Sequence, residues 1–257
     1  MPSHLLAIDI GNTTTHLGVF DGDRLALSFR LASTHTRTPD EAALLLRQLF
    51  GEAKITPTGL AGSVIGSVVP LLTPIISQAV ETVTGRTPHR VTHQSKLTIR
   101  IATQLPEQVG ADRIANAEGF WVEHHAAGIV VDFGTATTFD VISADGAYLG
   151  GAIAPGIETS ADQLAQKAAQ LFKVSIMRPD SPIGKTTEDA LRAGLYYGTI
   201  GAVDEIVGRI AREMGGSPKV IATGGLAPLI AAGSKTIQSV DPILTLKGLK
   251  SIYQSNR

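Results

Sequence analysis

The sequence contains no cysteine, so disulfide bonds and thiolate chemistry are excluded. It has no apolar run of about 18 residues, the length that a membrane-spanning helix requires. It also lacks the basic segment followed by an apolar one that marks a signal peptide. Neither sign of charge dominates, because 22 basic side chains face 23 acidic ones and the net charge is −1. We therefore expect a cytoplasmic protein that has neither nucleic acid nor a membrane as its partner.

The composition is that of an ordinary globular protein. Apolar residues make up 43% of the 257 residues and charged residues 18%. This length is enough for two domains of about 100–150 residues each. Strand-like and helix-like segments alternate along the chain, which is typical of an α/β fold.

A strand–turn–strand pattern occurs twice, about half a chain apart. The first copy carries the sequence Asp9–Thr15 (DIGNTTT) after a short apolar run, and the second carries Asp132–Thr138 (DFGTATT) in the same setting. We call these the first and second turn motifs. In each copy another strand-like stretch leads to an Asp-Gly pair, Asp21-Gly22 or Asp145-Gly146, and such pairs favour hairpin turns. Two hairpins can resemble each other by chance, but the shared Asp-x-Gly and hydroxyl run favours a duplicated domain.

The duplication predicts a domain at 1–114 and a second at 115–257. A capping box at Thr38 and Glu41, with Pro39 between them, predicts the start of the first helix. Further segments are assigned from apolar periodicity and from Gly or Pro boundaries. The first helix is predicted to continue through 42–50. Further helices are predicted at 74–84, 111–124, 158–172, about 187–214 and 244–253, and strands at 60–69 and 219–222.

The two turn motifs suit the binding of phosphate. Glycine lets the backbone approach a ligand closely, and the N–H groups of a tight turn form an anion-binding concavity. Threonine hydroxyls and Asn12 add neutral donors, and an aspartate such as Asp9 at a strand end can hold Mg²⁺, which prefers oxygen ligands. The alternative is that Asp, Gly, Asn and Thr are here only because they form turns well.

Three segments of the chain resemble the motifs of type III pantothenate kinases. They are Asp9–Thr13 with Gly18, the sequence Gly110-Ala111-Asp112-Arg113, and the second turn motif. Each motif alone is moderately specific, and all three in this order are highly specific. Weaker similarities extend the resemblance nearly from end to end, at 38–41, 67–70, 150–156, 184–187 and 223–225.

This resemblance implies an α/β fold of two duplicated RNase H-like or actin-like domains, as in the acetate and sugar kinase/Hsc70/actin superfamily, with the active site in the cleft between them. It implies an ATP-dependent kinase that phosphorylates pantothenate to 4'-phosphopantothenate, the first step of coenzyme A biosynthesis. A homodimer is implied as well, together with Mg²⁺ and a monovalent cation, K⁺ or NH₄⁺.

The resemblance also implies roles for particular residues. Asp112 is expected to be the catalytic base, although an exposed Asp-Arg pair capping a helix is the simpler interpretation without the family. Asp132 is expected to bind the monovalent cation and Asp9 the Mg²⁺. Pantothenate is expected to contact Gly110, Ala111, Asp112, Arg113 and Thr187, and ATP to contact Asp9, Ile10, Gly11, Asn12, Thr13, Thr14, Thr15, His16 and Thr135.

The sequence departs from the family pattern shortly before Asp112. Family members commonly carry Tyr and Asn there, whereas this chain has Thr103 and Leu105. Threonine keeps only a hydroxyl, and leucine offers no hydrogen bond. Two alternatives to a pantothenate kinase therefore stay open: a kinase of the same fold for another small alcohol, and a non-catalytic nucleotide-binding regulator. The presence of Asp9, Asp112 and Asp132 argues against the regulator, because binding alone needs no base.

Overall fold

The structure is a computed structural model that describes residues 4–168 and 170–257. The chain divides into two compact units. The first unit runs to Glu123 and also contains Leu244–Arg257, and the second comprises His124–Ile243. The predicted boundary between the two duplicated domains, after residue 114, stays a prediction. Among the described residues, no helix combines the length and apolarity needed to cross a bilayer.

The first unit contains a five-stranded mixed sheet in the order β3-β2-β1-β4-β5. The β1, β2 and β3 strands are antiparallel neighbours, while β4 is parallel to β1 and β5 is parallel to β4. A two-residue strand, β6, follows β5 in the chain. The strands are β1 (His4–Ile10), β2 (Thr14–Asp21), β3 (Arg24–Ala32), β4 (Gly62–Ser67), β5 (His89–Arg90) and β6 (Arg100–Ile101).

The second unit repeats this topology. Its strands follow the order β9-β8-β7-β10-β11, again with three antiparallel neighbours and two parallel additions. Even the irregularities match, because the ladder shifts register at Val19/Phe20 in the first sheet and at Val141/Ile142 in the second. The predicted duplication is therefore confirmed. The strands are β7 (Gly128–Phe133), β8 (Ala136–Ile142), β9 (Ala147–Pro155), β10 (Lys219–Gly224) and β11 (Ser239–Val240).

Helices connect and cover the strands. The first begins as predicted, because the Glu41 N–H donates to Thr38 Oγ1 at 3.2 Å and the Thr38 N–H donates to the Glu41 carboxylate at 2.7 Å. The long fifth helix begins after Thr186, whose hydroxyl accepts from the Asp189 N–H. The helices are α1 (Pro39–Glu52), α2 (Leu72–Thr84), α3 (Ala111–His124), α4 (Ile157–Lys167), α5 (Thr187–Glu213), α6 (Ala227–Ala231) and α7 (Leu244–Ser255).

Both faces of the first sheet are buried. Leu6, Ile8 and Ile10 point to one face and pack with α1 and α2. Leu5 and Ala7 point to the other face and pack with α3 and α7. The alternation of side chains along a strand separates these two sets. Since α7 supplies part of this core, the last segment of the chain belongs to the first unit.

The α3 and α7 helices meet backbone to backbone. A Cβ atom added at Gly248 would lie 1.8 Å from the Ala115 carbonyl oxygen, and one at Gly119 would lie 2.6 Å from the Leu244 carbonyl oxygen. Glycine is required at both positions because any side chain would push the helices apart. Buried polar groups add specificity to this contact, since Thr245 donates to the Asn116 side chain at 2.7 Å.

Two predicted elements have different bounds. The helix predicted to reach residue 172 ends at Lys167, and Ala168 is extended. Leu164 and Phe172 are exposed, so continuing the helix would bury no further apolar face. The strand predicted at 60–69 covers only Gly62–Ser67, because the Val69 N–H is bonded to the Ser67 hydroxyl and not to a strand.

Candidate active site

The first turn motif forms the connection between β1 and β2. The Gly11 N–H donates to the Thr14 carbonyl at 3.1 Å, which closes a tight turn whose residues 12–14 are exposed. Asp9 is half-buried just before this turn. It is the cross-strand partner of His16, so both side chains lie on the same face of the sheet.

Ser33, which directly follows β3, holds the first turn motif in place. Its N–H donates to the Thr13 carbonyl at 2.9 Å, and its hydroxyl donates to the Gly11 carbonyl at 2.6 Å. The Thr15 hydroxyl lies 2.9 Å from the Ser33 hydroxyl oxygen. Ser33 was not predicted from the sequence, because it belongs to no motif and lies far along the chain from the turn that it contacts.

The second turn motif is held in a related way. The Gly134 N–H donates to the Ala136 carbonyl at 3.1 Å. The Thr135 carbonyl accepts from the Gly156 N–H at 3.2 Å and from the Thr159 hydroxyl at 2.7 Å. Thr159 lies in the first turn of α4, and it too was missed from the sequence.

The two turns differ in length by one residue. Ile10 pairs with Thr15 across the first turn, whereas Phe133 pairs with Thr137 across the second. A position-by-position match of the two motifs would align Thr13 with Ala136, but the strand register aligns Thr14 with Ala136. A backbone hydrogen bond from the glycine N–H therefore closes both turns, but their hydroxyl groups do not all occupy equivalent positions.

Asp132 lies at the end of β7 between two threonines. Thr223 on β10 and Thr138 on β8 are its cross-strand partners, so all three side chains share one face of the second sheet. Gly224 has φ +93°, and a Cβ atom there would lie 2.7 Å from Asp132 Oδ1 and 2.6 Å from the Phe133 carbonyl oxygen. Gly224 therefore leaves the space that the Asp132 carboxylate uses.

The oxygen atoms near Asp9 and Asp132 suit hard cations that a bound ligand would also coordinate. Within the described residues, no three His, Asp or Glu side chains cluster to form a complete metal site. Mg²⁺ in kinases typically takes one or two carboxylates, with water and phosphate oxygens completing its shell. Asp9, the first residue of the first turn motif, would supply one such carboxylate. The carboxylate and hydroxyl oxygens around Asp132 are likewise all hard donors, which suit a cation such as K⁺.

Asp112 lies in the first turn of α3, where the Ile114 N–H donates to the Gly110 carbonyl at 3.0 Å. The Arg113 N–H donates to Asp112 Oδ1 at 2.7 Å. Burial raises the pKa of the Asp112 carboxyl above its ordinary value, although the hydrogen bond and the charge of Arg113 oppose the shift. A Cβ atom at Gly110 would lie 2.5 Å from Asp112 Oδ1, so glycine makes room for this carboxylate.

The start of α3 and the first turn motif lie at the same end of the first sheet. Val68 connects them: its N–H donates to the Ile10 carbonyl at 3.1 Å, and its Cγ1 lies 3.2 Å from the position of a Cβ at Gly110. The carboxyl ends of parallel strands are the usual location of ligands in α/β sheets. The structure thus brings Asp9, the first turn motif and Asp112 to one edge of this unit.

The remaining predicted contacts lie on other elements. Thr187 is the first residue of α5 and is exposed, while Arg113 is half-buried beside Asp112. Leu105 is 50% exposed. Thr103 differs, because its hydroxyl oxygen is buried and has no hydrogen-bond partner within the described residues. An unsatisfied buried hydroxyl is costly unless water or a ligand bonds to it.

His16 offers no positive charge to a phosphate. The residue is 9% exposed, and its Nε2 lies 2.8 Å from the Ser28 hydroxyl. Burial, assisted by the charge of Arg30, lowers its pKa from 6.5 to about 4. The ring is therefore neutral at pH 7, and its side chain is directed to Ser28.

The two sheets and the turn after the first strand of each define the class of the protein. It has the duplicated RNase H-like, actin-like fold of the acetate and sugar kinase/Hsc70/actin superfamily. Solved structures share this fold over nearly the whole chain. A Campylobacter jejuni protein named as a Baf family transcriptional activator superposes with a TM-score of 0.61 at 22% identity, covering 98% of each chain. Component A of (R)-2-hydroxyglutaryl-CoA dehydratase from Acidaminococcus fermentans superposes with a TM-score of 0.54 at 14% identity, covering 97% of this chain and 96% of that one.

Sequence comparison narrows the class to one family. The family model described as type III pantothenate kinase matches residues 5–209. A type III pantothenate kinase from Anaeromyxobacter sp. (strain K) is 49% identical over 98% of this chain and 100% of its own. Another, from Dehalococcoides mccartyi, is 45% identical over 100% of both chains. The chain belongs to the type III pantothenate kinase family.

Proposed function

We propose that this protein is an ATP-dependent kinase that transfers the γ-phosphate of ATP to pantothenate and releases 4'-phosphopantothenate, the first step of coenzyme A biosynthesis. The observation that carries the proposal is the position of Asp112. Burial raises the pKa of its carboxyl, which lies at the same edge of the first unit as the first turn motif, a turn of the kind that binds phosphate. A base and a phosphate-binding turn at one edge are the parts that phosphoryl transfer needs.

In the proposed reaction Asp112 acts as the general base. The substrate hydroxyl gives its proton to the Asp112 carboxylate as its oxygen forms a bond to the γ-phosphorus. The bond between that phosphorus and the bridging oxygen breaks, and ADP leaves with the electron pair. A raised pKa suits this role, because a general base is most effective when its pKa lies near the operating pH.

The rest of the reaction consists of binding and orientation. We propose that residues Asp9–His16 and Thr135 bind ATP, mainly through backbone N–H and hydroxyl groups of the exposed residues in the two turn motifs. His16 takes part through its backbone and through its position beside Asp9, since its ring contacts Ser28. Gly110, Ala111, Arg113 and Thr187 are proposed to hold pantothenate, and the Arg113 guanidinium is proposed to pair with the substrate carboxylate.

Two cations belong to the proposal. Mg²⁺, held by Asp9, would neutralise charge on the phosphate oxygens. Asp132 would hold K⁺ or NH₄⁺, and its threonine neighbours and the space at Gly224 support an all-oxygen site there. A homodimer, which rests on the family alone, and a cytoplasmic location, which the sequence predicts, complete the proposal.

A kinase for another small alcohol is the second candidate. It is supported by Thr103 and Leu105, which replace the usual Tyr and Asn of the family near the substrate. The unsatisfied Thr103 hydroxyl can bond to a substrate, but exposed Leu105 cannot.

A coupled assay of ADP release, with pantothenate or other alcohols and with or without KCl, tests the proposal. Pantothenate-dependent turnover that needs K⁺ is expected. Turnover only with another alcohol would favour the second candidate, and nucleotide binding without turnover would indicate a regulator.

The Asp112→Asn variant tests the base directly. It should lose about 10²–10⁴-fold in kcat while still binding ATP. Asp40→Asn is the matched control, because Asp40 also lies in the first turn of a helix but is exposed. Full activity of Asp112→Asn would refute the assigned base.

A further inference from the structure

We infer that Ser33 and Thr159 are positioning residues for nucleotide binding, each holding one turn motif in its phosphate-binding shape through a hydroxyl-to-carbonyl hydrogen bond. The inference rests on the proposed function. Neither residue lies in a motif that resembles the family pattern, and they come from different elements: Ser33 follows β3, and Thr159 lies on α4.

Each hydroxyl donates to a carbonyl of its own turn motif, Ser33 to Gly11 and Thr159 to Thr135, from a different position in the duplicated fold. Strand register places Thr14 opposite Ala32 and Ala136 opposite Pro155. The next residues, Ser33 and Gly156, are therefore equivalent. Each donates its N–H to the turn, Ser33 to the Thr13 carbonyl at 2.9 Å and Gly156 to the Thr135 carbonyl at 3.2 Å.

The side-chain hydrogen bond differs between the copies for a steric reason. In the first copy Ser33 itself donates its hydroxyl to the Gly11 carbonyl at 2.6 Å. In the second copy a Cβ atom at Gly156 would lie 2.4 Å from the Thr135 carbonyl oxygen and 2.6 Å from that of Gly134. No serine fits there. Thr159, three residues later, supplies the hydroxyl and donates it at 2.7 Å to the Thr135 carbonyl oxygen, the counterpart of the Thr13 carbonyl and not of the Gly11 carbonyl.

These hydrogen bonds matter because a turn that binds phosphate must present N–H groups and not carbonyls. Each peptide unit can rotate, and a rotated unit would place a carbonyl oxygen where an anion is to bind. A hydroxyl that donates to the carbonyl fixes the orientation of that peptide before the ligand arrives. Such preorganised backbone donors stabilise anionic groups most effectively, because they need no reorganisation.

The test compares nucleotide binding by Ser33→Ala and Thr159→Val with that of the unaltered protein. The Kd for ATP, measured by titration calorimetry without an acceptor, should rise about tenfold for each variant, the effect of one lost hydrogen bond. The KM for ATP should rise likewise, while the KM for pantothenate stays unchanged. Ser33→Thr and Thr159→Ser keep a hydroxyl and should restore most of the affinity.

Matched controls separate positioning from general stability. Ser77→Ala and Thr199→Val each remove a hydroxyl that donates to a carbonyl at 2.7 Å, but within a helix, and neither should change the Kd for ATP. If Ser33→Ala and Thr159→Val are folded by circular dichroism and bind ATP normally, or if both substrates lose affinity equally, the inference is wrong. If the unaltered protein binds no ATP, the proposed function fails as well, so the two failures are distinguishable.

Discussion

The carboxylate of Asp132 occupies space that a side chain at Gly224 would need. The two residues lie at the ends of adjacent parallel strands, and a Cβ atom at 224 would lie 2.7 Å from Asp132 Oδ1. Gly224 also has φ +93°, which disfavours any L-residue with a side chain.

The first prediction follows from this contact. Gly224→Ala should displace the Asp132 carboxylate and lower the free energy of unfolding by about 1–3 kcal/mol, because both the φ angle and the contact are strained. We expect the KCl concentration for half-maximal activity to rise at least several-fold. Gly225→Ala is the control, since a Cβ there has no heavy atom within 4 Å. Equal KCl dependence in the two variants would argue against a cation at Asp132.

The second prediction concerns Gly110, whose missing side chain leaves room for the Asp112 carboxylate. Gly110→Ala should move Asp112, because the new Cβ would lie 2.5 Å from Asp112 Oδ1. Misplacing a base costs about 10²-fold in kcat, and the Kd for ATP should stay the same. The control is Gly51→Ala on α1, where a Cβ has open space and alanine favours the helix. Normal kcat in Gly110→Ala would contradict the assigned position of the base.

The third prediction is the pH dependence of catalysis. The base must be unprotonated, so log(kcat/KM) should fall with decreasing pH below the pKa of Asp112. Because burial raises that pKa, the acid limb should lie above 3.8, the ordinary value for aspartate. A pH–rate profile for the unaltered protein checks this expectation. An acid limb at or below pH 3.8, measured where the protein stays folded, would show that burial does not control this carboxyl.

The fourth prediction uses the unsatisfied hydroxyl of Thr103. Thr103→Val keeps the shape but removes a buried group without a partner, so the free energy of unfolding should rise by about 1 kcal/mol. If this hydroxyl also bonds to pantothenate, the KM for pantothenate should rise several-fold. Ser63→Ala removes the other such hydroxyl in the described chain and should stabilise the fold without changing that KM. A lower melting temperature for Thr103→Val would mean that the hydroxyl is already bonded, for example to water.

The fifth prediction concerns stability at low pH. The pKa of His16 is 6.5 in the unfolded chain and about 4 in the folded protein. Between these values the unfolded state binds a proton that the folded state excludes, so the free energy of unfolding falls as the pH drops from 6.5 towards 4. His16 can contribute at most about 1.4 kcal/mol per pH unit to the slope of the unfolding free energy against pH.

Urea unfolding at several pH values measures this slope, and His16→Asn should remove its part of it. His35→Asn, at an exposed position, should leave the slope unchanged. If His16→Asn unfolds with the same pH dependence as the unaltered protein, the buried ring does not set it.

Much of the fold was predictable because its signals are local. The capping box at Thr38 and Glu41 fixes the start of α1, and the helix predicted at 111–124 has those bounds in the structure. The two Asp-Gly turns and the repeated turn motifs predicted the duplication, which the matching strand orders confirm. Such features depend on residues within a few positions of each other.

The features that were not predicted depend on contacts that are distant in sequence. Ser33 and Thr159 act on turns about 20 residues earlier in the chain, and no local pattern marks them. The one-residue difference between the turns became visible only from the strand register. The predicted roles of Asp9, Asp112, Asp132 and Thr187 came from the family resemblance, and they stay predictions until the variants are measured.

The packing of α7 on the first sheet sets an order for folding during synthesis. Residues His124–Ile243 are continuous in sequence, so the second unit has all of its strands once that stretch has left the ribosome. The first unit emerges earlier but lacks Leu246, Leu249 and Ile252, which complete one of its cores. In the nascent chain, one apolar face of the first sheet therefore stays uncovered until α7 has been synthesised.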